Sequence, residues 1–97
     1  MNRLLLLVLL GAAATTAHAA VRDDLPTLVA AFVAEQRPNA DADRQARISE
    51  CIIGAFEGIG DEELETMIVV DDFEDSFDRL LDAYPDREDV VEVCEHM

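Results

Sequence analysis

Lysine is missing from this chain, so all seven basic residues are arginines and lysine-centred chemistry such as Schiff-base formation has nothing to use. Histidine is nearly as scarce. Of the two, His18 lies in the first twenty residues and His96 is penultimate, where a fraying chain end cannot hold a general base in position. Ser49 and Ser76 therefore lack a partner base, and the two cysteines, Cys51 and Cys94, do not form the Cys-x-x-Cys arrangement of a dithiol oxidoreductase. Carboxylate pairs are abundant, but among 22 acidic side chains none stands out as an acid–base couple. These gaps predict a non-enzymatic protein with no cofactor.

The only long apolar run is Leu4 to Leu10, well short of the roughly 20 residues needed to span a bilayer. It follows Arg3 and fades through Gly11 into small residues ending at Ala17-His18-Ala19. That order of charge, apolar run and small residues is a secretory signal peptide over residues 1–19, cleaved between Ala19 and Ala20. No cysteine stands near the cleavage point to carry a lipid. Residues 20–97 are then expected as one small exported domain, periplasmic or secreted, with no membrane attachment after cleavage.

A domain this small buries only about 60% of its unfolded surface and is marginal without a staple. Outside the cytosol, two cysteines in a short chain are read first as a bridge, and Cys51–Cys94 is the one pairing available.

Cleavage removes Arg3 and no acidic residue, so the formal charge moves from −15 for the whole chain to −16. The sign is wrong for a nucleic-acid phosphate backbone and for anionic membranes. It suits cations: a basic protein or peptide, a polyamine, or a weakly held divalent metal. High charge also keeps a small protein soluble, and a monomer is expected, with a weak homodimer as the alternative.

Half the residues are hydrophobic, too many for a disordered chain, and they recur at helical spacing. Leu25, Leu28, Val29, Phe32 and Val33 mark a first helix, capped by Asp23 or Asp24 with Pro26 in its first turn. A second opens at Asp41 or Asp43, carries Ile48, Cys51, Ile52, Ala55, Phe56 and Ile59 on a buried stripe, and ends at Gly58 and Gly60. A third starts at Asp61 and continues through Leu64 and Met67 to Ile68-Val69-Val70. Asp71 and Glu74 have capping-box spacing ahead of Phe73, Phe77, Leu80, Leu81 and Tyr84, with Pro85 as the stop. A last helix from Asp86 turns Val90, Val91 and Cys94 inward. The fold class expected is all-α: a small orthogonal bundle of four to five short helices stapled by one disulfide.

The acidic stretch from Asp71 to Asp78 is the obvious place for calcium. It has no glycine for a sharp turn, however, and its two phenylalanines fall at helical spacing, so capping and an Asp75–Arg79 pair account for it. Zinc on Cys51, Cys94 and His96 would need a fourth ligand and free thiols, so no metal site is assigned. Arg37, Arg44 and Arg47 could face an anion, but local pairing with Asp43 and Glu50 is the simpler reading. The functional expectation is a small exported acidic binding module for a basic partner. An acid-responsive periplasmic chaperone-like stress protein and a weak calcium binder are the alternatives.

Overall fold

The computed structural model describes residues 20–97. The expected signal peptide, residues 1–19, and the expected cleavage between Ala19 and Ala20 lie outside the described residues, which begin at Ala20. Five α-helices follow in order: α1 (Val21–Gln36), α2 (Ala42–Gly54), α3 (Asp61–Met67), α4 (Phe73–Ala83) and α5 (Pro85–Glu95). A single 3₁₀ turn (Val70–Asp72) leads into α4, and no strand occurs among the described residues. The fold is all-α, and its staple is in place: Cys51 and Cys94 are disulfide-bonded, with Cα atoms 5.6 Å apart.

One core cluster draws on every helix. α1 contributes Leu25, Val29 and Val33, α2 contributes Ile48 and Ile52, and α3 contributes Leu64. From α4 come Phe77 and Leu80, and from α5 Val91 and Cys94. All four phenylalanines meet inside it. Phe77 stacks on Phe56 at 5.2 Å and on Phe73 at 5.3 Å, while Phe32 meets Phe77 edge-on at 5.5 Å. Each such contact adds about 0.5–1.5 kcal/mol beyond the area it buries.

Several helix boundaries differ from expectation, each for a tertiary reason. α1 begins at Val21, and neither Asp23 nor Asp24 caps it. Its first N–H, on Val21, donates to the Glu65 carboxylate of α3, so a neighbouring helix supplies the cap, and Pro26 lies inside the helix beyond its first turn. α2 opens at Asp41 as one of the two expected caps, with Arg44 N donating to Asp41 Oδ1 at 2.8 Å. It closes at Gly54, not at Gly58 and Gly60. Beyond Gly54 the chain tightens into bonds three residues apart, from Ala55 to Ile52 and from Phe56 to Ile53, which swing Phe56 and Ile59 into the core. Gly58 then adopts φ +86°, a conformation open to glycine at little cost. Cys51 is half-buried rather than central to the buried face, whereas Cys94 is fully enclosed.

Ile68 and Val69 are not helical. Both have extended backbone, and only Ile68 turns inward, while Val69 and Val70 are exposed. Their β-branched preference wins locally, yet they form no sheet, because the buried Ser76 hydroxyl accepts the Val69 N–H at 3.1 Å and donates to the Phe73 carbonyl at 3.0 Å. That bond replaces the expected capping box: no side chain caps the start of α4, which the 3₁₀ turn delivers instead. Pro85 both ends α4 and occupies the first turn of α5, one residue before the expected Asp86, where its missing N–H costs nothing. Val90 faces solvent and not the core.

α5 buries only Val91 and Cys94 and carries Asp86, Glu88, Asp89, Glu92 and Glu95 outward, so the disulfide is its main anchor. The bridge closes a separation of 43 residues, and replacing both cysteines with alanine should lower unfolding free energy by about 4 kcal/mol in the loop-entropy model. Urea denaturation measures that loss, and hydrogen exchange should show α5 amides losing protection first. Ser76→Ala should cost about 1 kcal/mol, the low end for an orphaned donor, because half-exposed Val69 lets water take the N–H.

Candidate functional site

Three arginines, Arg22, Arg37 and Arg44, join separate parts of the fold. Arg22 Nε pairs with Asp61 at 2.6 Å while its Nη2 donates to the Ile59 carbonyl, tying α1 to the start of α3. Arg37 Nη2 donates to the Glu95 carbonyl at 2.6 Å, and Arg44 Nε donates to the Met97 main-chain oxygen at 2.9 Å. Two guanidinium groups thus cover the C-terminal end of α5, where the helix leaves carbonyls unpaired and the dipole is negative. Arg37 and Arg44 are thus engaged by main-chain oxygens, and no ion pair of Arg37, Arg44 or Arg47 with Asp43 or Glu50 forms among the described residues. Arg87 lies beside Gly58 and approaches Asp86 only to 3.7 Å. The expected Asp75–Arg79 ion pair does not form among the described residues.

With the arginines so placed, one face is left acidic. Between α1, α4 and α5 lies a depression of about 320 Å³, floored by Phe32, Phe77, Leu81 and Val91 and rimmed by Asp78, Glu88, Glu92 and Glu95. On the other side of Phe32 lies a second depression of about 340 Å³. Leu28, Phe32, Val70 and Phe73 form its apolar part, and Glu35, Asp71, Asp72 and Glu74 its edge. Phe32 is common to both, so they form one trench, and Gln36 reaches across to Glu74 at 3.4 Å. Every polar side chain lining the trench is a carboxylate, eight in all. None of the eight is in an ion pair among the described residues.

Other chemistries find little here. Asp71 to Asp78 spans a 3₁₀ turn and a helix, with Asp71, Asp72 and Glu74 beside one depression and Asp78 beside the other. Among the described residues no group of three or more His, Cys, Asp or Glu side chains converges on a possible metal position. Cys51 and Cys94 are consumed by the bridge and cannot serve as thiolate ligands for the zinc arrangement considered with His96. Ser76 is buried with its hydroxyl on backbone groups, and Ser49 lines a depression of about 430 Å³ with Pro26, Ala46, Glu50 and Ile53 that contains no histidine. Among the described residues no helix is long and apolar enough to cross a membrane.

Phe32 and the rim of α5 were not singled out from sequence. Phe32 shares its periodic stripe with core residues, and Glu88, Glu92 and Glu95 fall outside the apolar positions of the last helix. Their spacing of four and three was the available signal, since it sets all three along one side of α5. No protein-family model, curated protein or solved structure matches this chain.

Arg37→Ala should remove the cap from the α5 carbonyls and lower stability by about 1–2 kcal/mol, the range for a partly buried charge-assisted bond at a helix end. Thermal or urea unfolding of the variant checks this.

Proposed function

We propose that the domain is a non-enzymatic binding module, acting after export, whose partner is a basic protein or peptide. The observation that supports this reading is the acidic face: eight carboxylates around two depressions that adjoin at half-buried Phe32, none of them in an ion pair among the described residues. A solubilising acidic surface would not require the acids to gather beside half-buried Leu28 and Phe32 and exposed Val70, whereas an amphipathic cation satisfies both parts at once. Apolar contact supplies affinity, and charge complementarity supplies encounter rate and selection against acidic competitors. The leader at residues 1–19 and the disulfide support action in an oxidising compartment outside the cytoplasm.

The test is fluorescence anisotropy of an arginine- and lysine-rich amphipathic peptide titrated with the oxidised protein. Saturable binding is expected. It should weaken as salt rises from about 0.1 M to about 1 M, where the screening length shrinks from about 10 Å to about 3 Å, and it should vanish for an acidic peptide of the same apolar content. Failure of the basic peptide to bind saturably at low salt would remove this reading.

A further inference from the structure

α1 is fixed to α3 from its first residue. Val21 is buried and its N–H donates to the Glu65 carboxylate, while Arg22 reaches Asp61 at 2.6 Å and the Ile59 carbonyl. Asp61 and Glu65 lie four residues apart in α3, so one side of that helix presents both carboxylates to the beginning of α1. Ala20 is half-buried ahead of them, its carbonyl accepting the Asp23 N–H at 2.9 Å.

The expected cleavage changes the charge at this point. Hydrolysis of the Ala19–Ala20 peptide bond consumes one water, leaves a carboxylate on Ala19 and frees an amine on Ala20, which takes up a proton at neutral pH. With Ala20 at ψ 145°, standard peptide geometry puts its nitrogen about 5 Å from an acceptor on the Val21 N–H. That acceptor is the Glu65 carboxylate. Opposite charges within about 4–6 Å favour each other, and a carboxylate engaged by one N–H has lone pairs left for a second donor. The pairing is consequential because an ammonium at a helix N-terminus otherwise opposes the helix dipole. Of the other charged groups on this part of α1, Arg22 is already on Asp61, while Asp23 and Asp24 are exposed. α2 sets Glu50 beside Pro26, more than a turn further along α1.

We infer that Glu65 is the docking site of the mature N-terminus: cleavage supplies a positive charge that this carboxylate binds, so processing itself adds an ion pair joining α1 to α3. The inference rests on cleavage between Ala19 and Ala20 and is independent of the basic-partner reading.

The absence of lysine makes the test selective, because after cleavage the Ala20 amine is the only primary amine in the chain. The full chain is exported from a bacterial host, and N-terminal sequencing and intact mass identify the product. One portion is acetylated, which removes the charge, and another is reductively dimethylated, which keeps it; hydroxylamine clears any ester from Tyr84. Glu65→Gln retains an oxygen for the Val21 N–H while removing the carboxylate charge, and Asp23→Asn removes a carboxylate that the inference does not use. Urea unfolding at about pH 6.5, below the ordinary α-amine range of about 7.7–8.0, gives the unfolding constant of each protein. Acetylation should raise that constant about threefold in the wild-type and Asp23→Asn proteins, within the range for an exposed ion pair. Dimethylation should leave it unchanged, and in Glu65→Gln acetylation should be neutral or stabilising. Equal loss in the wild type and Glu65→Gln, or its disappearance in Asp23→Asn, would overturn Glu65 as the partner. No loss in the wild type, or the same loss on dimethylation, would overturn the ion pair. A first residue other than Ala20 would remove the processing on which the inference rests, whatever the unfolding data show.

Discussion

The attachment of α5 is the constraint on which the rest of the molecule depends. Five of its eleven residues are acidic and it buries only Val91 and Cys94, so its own apolar surface is small and its charge opposes docking on an already negative domain. The Cys51–Cys94 bond holds it to α2 regardless of that balance. Arg37 and Arg44 then cover its last carbonyls, turning the end of greatest negative dipole into a contact. Without this tether the first compartment of the trench would lose the wall that carries Glu88, Glu92 and Glu95.

Stability and surface chemistry divide the charged residues between them. Arg22 is committed to Asp61 and the Ile59 carbonyl, while Arg37 is committed to the Glu95 carbonyl at the end of α5 and Arg44 to the Met97 main-chain oxygen just beyond it. The scarcity of cations makes each of these placements consequential. Once they are used for joining elements, the α1–α4–α5 face keeps its carboxylates without counterions. Phe32 belongs to both sides of this division: it packs against the aromatic core through Phe73 and Phe77, and it forms the ridge of the trench.

Much of the fold was legible because small helical proteins write their core as a periodic stripe. Val29, Ile52, Phe77 and Leu80 are buried where helical period placed them. The errors fall at junctions. Asp23 and Asp24 looked like caps, but a cap can come from another helix, and Glu65 provides it for Val21. Asp71 and Glu74 had the spacing of a capping box, but spacing does not show that the chain enters α4 through a 3₁₀ turn anchored by Ser76. Ile68, Val69 and Val70 formed one apolar run, yet one side chain is inside and two are outside: alternation along the extended pair turns Val69 away from Ile68, and Val70 already belongs to the 3₁₀ turn.

The sequence by itself determined that these residues form short helices, that the chain is strongly acidic, and which two cysteines pair, since all three depend on local periodicity, composition or a choice with one outcome. Only the tertiary structure decided which carboxylates stand together and which apolar residues remain partly open beside them. Glu88 and Glu35 are 53 positions apart in the chain. They border the same trench because α1, α4 and α5 pack around Phe32 and Phe77, an arrangement fixed by long-range packing and a covalent bridge rather than by any local preference.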